Sequence, residues 1–216
     1  MLKSALVRVR ELRKVFGSLS ASNFEAIVAR LAPLYEDVRI EVYGIAEDTI
    51  ARLDQMDVRY RRSYFLRKSI GTLSEFAEAI SQLEKCPEFA LIASELSDTP
   101  EIERYWRRAS AFFRRNERRL KLLRNDTAGH FGLEAARYAV QNLHKEAVNG
   151  IELRDRLVLL EFAGELVATA MLRQASGLNR DHKVRRLVKL AQVGYQHATR
   201  CVHCVVFCYL WQKFGK

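Results

Sequence analysis

Hydrophobic positions recur along most of this chain with the spacing of about 3.6 residues that marks an α-helix. The pattern predicts helices at about 1–16, 23–32, 34–56, 58–84, 100–123, 131–144, 154–175 and 183–213. The predicted breaks fall at 17–22, Pro33, Cys86-Pro87, Asn149-Gly150 and Ser176-Gly177. Only 3 prolines and 10 glycines occur in 216 residues, so the sequence predicts an all-α helical bundle of about six to eight helices.

The composition indicates one basic globular domain covering residues 1–216. Hydrophobic residues make up 49% of the chain, and no repeat or linker divides it. The net charge of +10 and the pI near 9.7 favour a polyanionic partner, either nucleic acid or an anionic surface. Arginines outnumber lysines by 26 to 10, which suits phosphate binding, although a GC-rich genome would produce the same bias.

Several sequence features bear on cellular location and on the class of chemistry. Residues 1–16 carry cations throughout and lack the apolar centre of a signal peptide, and the uncharged run 201–212 is too short to span a bilayer. We therefore expect a cytoplasmic protein without a membrane segment. A glycine-rich phosphate loop, GxSxG, HExxH and paired CxxC motifs are missing from the sequence, so we expect no cofactor and no metal.

The predicted helix at 100–123 is strongly amphipathic. Its apolar stripe comprises Ile102, Tyr105, Trp106, Ala109, Phe112, Phe113, Asn116, Leu120 and Leu123. The opposite face carries Arg104, Arg107, Arg108, Arg114, Arg115, Arg118, Arg119 and Lys121. This face is either a solvated surface or a cationic surface that follows a phosphate backbone. On the second interpretation, the candidate nucleic-acid contacts are Arg108, Arg115, Arg118 and Arg119.

The stretch RNDTAGHFG at 124–132 links this helix to the next one. Arg124 lies near the apolar stripe and away from the cationic face, so it needs a partner if it is buried. A structural interpretation is available, because a cation suits the end of a helix and Asn125 and Gly129 suit its termination.

This chain resembles the HEPN-domain family in the run Arg124-Asn125-Asp126-Thr127-Ala128-Gly129-His130, an arginine followed by a polar residue and then a histidine. The resemblance implies an all-α bundle that forms homodimers, with a core at about 34–145. The chain departs from a small family member by a C-terminal helical extension at about 154–214. A second pair with similar spacing, Arg137 and His144, lacks the polar residue and is interpreted as structural.

Catalytic HEPN proteins are metal-independent ribonucleases, and the resemblance implies a role for each matching residue. Arg124 would bind the scissile phosphate, His130 would act as general acid or base, and Asn125 would orient one of them. Such an enzyme would act in a toxin–antitoxin or phage-defence system. Two alternatives stay open: an inactive HEPN-like module that binds RNA, nucleotide or an acidic partner such as an antitoxin, and a structural interaction protein.

One helical stripe near the C-terminus carries His197, Cys201, Cys204 and Cys208. His197 and Cys201 lie one turn apart and could share a metal ion, but the whole stripe is too long for one ion. Core packing is the interpretation we favour for these residues.

Overall fold

A computed structural model describes residues 22–46, 55–97, 100–125, 133–142, 151–154, 157–175 and 177–214. These ranges contain seven α-helices: α1 (Asn23–Ala46), α2 (Gln55–Leu83), α3 (Phe89–Ser97), α4 (Pro100–Leu123), α5 (Leu133–Gln141), α6 (Glu161–Met171) and α7 (Arg180–Phe214). The prediction of an all-α bundle of six to eight helices is confirmed. The helix predicted at 1–16 lies outside the described residues.

Helix α1 is continuous, and the predicted break at Pro33 is wrong. Buried Val28, Leu31, Leu34 and Val38 follow one helical face on both sides of this proline. Proline removes one backbone hydrogen bond, but the apolar face remains in register with the core across it. Tertiary burial therefore outweighs the local preference for a break. The short helix α3 was not predicted from the sequence.

Two short strands, β1 (Ile151–Arg154) and β2 (Leu157–Leu160), form an antiparallel hairpin just before α6. Its register pairs Ile151 with Leu160 and Arg154 with Leu157. The helix predicted from about residue 154 therefore begins only at Glu161. The reason is that a short apolar run of this kind suits a strand or a helix equally, so periodicity alone does not decide between them.

A single large core joins α1, α2, α4 and α7, and its buried residues run from Phe24 to Tyr209 along the chain. At its centre the rings of Phe76 and Phe113 lie 5.1 Å apart. Helix α7 packs on α1, α2 and α4, so the C-terminal residues are integral to this core rather than an addition to it. A small second cluster, Ala135, Ala139 and Ala170, joins α5 to α6.

Capping residues fix where α1 and α7 begin. The Ser22 hydroxyl accepts a hydrogen bond from the Glu25 amide at 3.2 Å, and the Ser22 amide donates to the Glu25 carboxylate at 3.4 Å. This capping box places the helix N-terminus directly after the break predicted at 17–22. Asn179 caps α7 by accepting from the His182 amide at 2.9 Å.

Gly194 of α7 packs closely against Leu73 of α2. A Cβ atom on Gly194 would lie 2.6 Å from Leu73 Cδ1, and Leu73 is itself fully buried. The contact leaves no room for a methyl group unless the buried Leu73 side chain shifts or the two helices move apart.

We expect Gly194→Ala to lower the free energy of unfolding by about 1–3 kcal/mol, because overpacking outweighs the better helix propensity of alanine. Urea denaturation measures the change. Gln192→Ala, at an exposed position two residues away on α7, is the control and should be near neutral. A stabilised Gly194→Ala variant would contradict the close contact.

Candidate nucleic-acid interface

Helix α4 begins and folds as its sequence predicts. Pro100 occupies its first turn with Glu101 and Glu103, where proline and acidic residues suit the helix N-terminus. Its buried face carries Trp106, Ala109, Ser110, Phe113, Leu120 and Leu123, which matches most of the predicted apolar stripe. The opposite face is left to solvent.

Four arginines form what we call the arginine surface: Arg104, Arg108, Arg115 and Arg118. All four are exposed, and the structure gives none of them a carboxylate partner among the described residues. Two neighbouring arginines differ, since Arg107 pairs with Glu103 at 2.5 Å and Arg114 with Glu84 at 3.5 Å. The predicted contacts Arg108, Arg115 and Arg118 therefore share one uncompensated cationic face.

Arg119, the fourth predicted contact, has a different environment. It is half-buried, and its Nη2 has no hydrogen-bond partner among the described residues. Burial lowers the pKa of Arg119, and the neighbouring charge of Arg186 lowers it further. Arg119 thus lies at the edge of the arginine surface, facing α7.

A groove of about 640 Å³ runs along α4 beside α7, and we call it the α4–α7 groove. Its walls include three residues of the arginine surface together with Phe112, Asn116 and His197. Arg107 and Glu103 also line it, which gives four arginines against one glutamate. The groove is therefore strongly cationic, with aromatic and amide groups among its walls.

His197 forms the α7 wall of this groove. Its ring stacks on Phe112, with the centroids 4.6 Å apart and the planes 23° from parallel. Burial lowers the pKa of His197, as does the positive charge of Arg200, whose Nη1 lies 3.4 Å from His197 Nδ1. This environment therefore favours the neutral imidazole over the charged form.

Two cysteines of the same stripe, Cys201 and Cys204, lie deeper in the protein, and Cys208 is partly buried. Cys201 and Cys204 belong to the core, as the packing interpretation predicts, and burial raises the pKa of the Cys204 thiol to about 12. Within the described ranges, no group of three or more potential ligands could hold a metal ion.

Arg124 and Asn125 form a π-helical turn at the end of α4, and His130 lies outside the described residues. Arg124 has the partner that an inward arginine needs, because its Nη2 lies 3.4 Å from Glu75 Oε1 on α2. Glu75 also pairs with Arg30 at 3.7 Å. The Arg124 side chain keeps 39% of its surface exposed, and Asn125 is exposed beside it.

The arginine surface and Arg124 do not converge on one site. Arg124 lies nine positions after Arg115, which places the two residues about 180° apart around the helix. The contacts agree, since Arg115 lines the α4–α7 groove while Arg124 pairs with Glu75 on α2. One face of α4 thus carries the cations, and the other carries the RNDTAGH arginine.

Sequence analysis did not single out Glu41 on α1. One of its carboxylate oxygens accepts a hydrogen bond from Thr72 at 3.1 Å, while Oε2 is buried without a partner among the described residues. Burial raises its pKa to about 7, and the nearby charges of Asp37 and Glu75 add to the shift. The only sequence signal was the spacing of Asp37 and Glu41, four residues apart on one helix face.

The chain matches no protein-family model, no curated protein and no solved structure. No helix in the described part of the chain is both long and apolar enough to cross a membrane.

We expect Glu41→Gln to change how stability depends on pH. The folded-state pKa of about 7 lies above the ordinary value of 4.5, so the folded state binds more protons between these values. Stability contributed by this group is therefore lost as pH rises through that window. At pH 8 the variant should be more stable than the wild type by on the order of 1–2 kcal/mol, after allowance for solvent screening.

Urea denaturation at pH 5 and pH 8 measures this effect, and the two proteins should differ least at pH 5. Glu78→Gln, at an exposed position on α2, is the matched control and should leave the pH dependence unchanged. Parallel pH profiles for Glu41→Gln and wild type would contradict the raised pKa.

Proposed function

We propose that this protein binds RNA through the arginine surface. The supporting observation is that Arg104, Arg108, Arg115 and Arg118 are exposed on one helix face without carboxylate partners among the described residues. Guanidinium groups suit phosphate oxygens, and their binding to a polyanion releases counterions from it. The alternative partner for the same surface is an acidic protein. The salt dependence of RNA affinity distinguishes these two partners.

A second proposal is that the bound RNA is cleaved by HEPN-type chemistry at Arg124 and His130. It is supported by the RNDTAGH run and by the position of Arg124 at the end of α4, where its guanidinium is partly exposed. The ion pair with Glu75 restrains a guanidinium that keeps part of its surface exposed. An oriented, accessible cation of this kind suits a phosphate whose charge grows in the transition state.

The proposed reaction needs no metal. The ribose 2′-oxygen attacks the adjacent phosphorus, the bond to the 5′-oxygen breaks, and the products carry a 2′,3′-cyclic phosphate and a 5′-hydroxyl. His130 moves a proton at the 2′-hydroxyl or at the leaving oxygen, Arg124 stabilises the phosphoryl oxygens, and Asn125 orients one of these side chains.

The proposal extends to a cytoplasmic homodimer in which two copies of the motif face each other across one cleft. A toxin–antitoxin or phage-defence system is the proposed setting. An acidic antitoxin-like protein that covers the cationic surface would then hold the activity in check. If cleavage is absent, the inactive RNA-binding module is the alternative for the same surface.

RNA binding should depend steeply on salt and on the arginine surface. The triple variant Arg108→Ala/Arg115→Ala/Arg118→Ala should lower the slope of log affinity against log salt by about 2, at roughly 0.7 per phosphate contact of single-stranded RNA. Fluorescence anisotropy with a labelled RNA at several salt concentrations measures the slope.

The matched control is Arg39→Ala/Arg137→Ala/Arg173→Ala, which removes the same charge from exposed positions outside α4. Equal losses in the two triple variants would mean that only the net charge matters. Absence of RNA affinity at moderate salt, with an acidic protein that co-purifies, would favour the protein partner instead.

Cleavage should persist in excess EDTA and leave cyclic-phosphate ends. His130→Ala should abolish it, and Arg124→Ala should reduce it by about 100-fold or more, as loss of a charge-stabilising donor does. Arg124→Ala should cost only about 1 kcal/mol of unfolding free energy or less, because the ion pair with Glu75 is partly exposed. End-group analysis of the products and urea denaturation provide the two readouts.

Cleavage that survives His130→Ala would place the activity elsewhere or in a contaminant. A large loss of stability in Arg124→Ala would favour the structural interpretation of this turn.

A further inference from the structure

The α4–α7 groove combines three kinds of group that bind different parts of a nucleotide. Arg104, Arg108 and Arg115 lie within about 40° of one another on α4 and extend over about 16 Å of helix. They therefore form a row of guanidinium groups along the groove rather than one isolated cation. Such a row suits successive phosphates of a backbone better than a single small anion.

The second kind of group is a pair of stacked rings. Phe112 and His197 are both half-buried, so part of each ring remains accessible, and both line the groove. Their stacking joins a residue of α4 to one of α7, and the core packing of both helices holds the pair in place. Rings fixed in this way beside a cationic row are the usual platform on which unpaired bases stack.

The third group is the amide of Asn116. Its Nδ2 donates to the Phe112 carbonyl at 2.9 Å, which fixes the amide plane and leaves Oδ1 as an acceptor. An acceptor beside the rings can take a hydrogen bond from an N–H group of a stacked base, such as N3–H of uracil or an exocyclic amine. The groove volume of about 640 Å³ lies within the range of small-ligand sites.

From this arrangement we infer that the α4–α7 groove is a site for single-stranded RNA, in which a base stacks at Phe112 and His197 while the flanking phosphates contact Arg104, Arg108 and Arg115. The inference rests on the proposed RNA binding and makes it specific for unpaired strands. A duplex keeps its bases inside and offers only phosphates to the groove.

Binding to a labelled 2′-O-methyl oligouridine and to a 2′-O-methyl duplex of the same length tests this inference. The modified sugar blocks cleavage, so the result does not depend on any ribonuclease activity. The single strand should bind at least tenfold more tightly to the wild type. His197→Ala should weaken single-strand binding by about tenfold, as loss of one stacking contact does, and should leave duplex binding unchanged.

Two further variants separate stacking from structure. His197→Phe retains a ring at this position and should retain the preference for the single strand. His203→Ala, at an exposed position on the same helix, is the matched control and should bind as the wild type does. Thermal unfolding by circular dichroism checks that each variant is folded.

Equal affinity for the single strand and the duplex would overturn the inference, as would a folded His197→Phe that binds as weakly as His197→Ala. In both cases RNA binding by the arginine surface would stand. Failure of both oligonucleotides to bind would overturn the proposed RNA binding together with the inference.

Discussion

The packing of α7 across α2 and α4 is the constraint on which the core and the groove both depend. Gly194 lets α7 approach Leu73 on α2, and Cys204 lies against α4, with its sulfur 3.8 Å from the Ile102 carbonyl oxygen. These contacts set the position of His197 against Phe112. The groove wall is therefore built from side chains of two packed helices.

The two faces of α4 have different roles in the proposed function: one face binds RNA and the other carries Arg124 of the cleavage site. Its cationic face lies beside α7, whereas Arg124 pairs with Glu75 on α2, so in the proposed function the groove and Arg124 would contact different segments of the RNA. In the proposed function, an RNA strand bound in the groove would contact the RNDTAGH motif only by passing around the helix end or by extending to a second copy of the chain. Under the proposed function, binding and cleavage should for this reason be separable by substitution.

Sequence periodicity was sufficient to predict the bundle and the arginine face of α4, because both depend on local spacing along one helix. It failed at Pro33 and at the hairpin of 151–160, where tertiary burial and strand pairing decide the outcome. The groove could not be predicted from periodicity, because His197 contacts Phe112 only when α7 is packed on α4. The raised pKa of Glu41 likewise depends on burial and on charges from two helices.

The depth of Cys201 has a chemical consequence. Its thiol is fully buried, and burial holds its pKa well above the ordinary value, so almost no thiolate forms at neutral pH. The thiolate is the nucleophile that reacts with oxidants and alkylating agents. In the folded protein these reagents cannot reach the buried sulfur of Cys201. Oxidation of Cys201 would therefore occur after the protein unfolds and would not itself cause unfolding. Oxidised Cys201 would thus indicate that the chain has been unfolded.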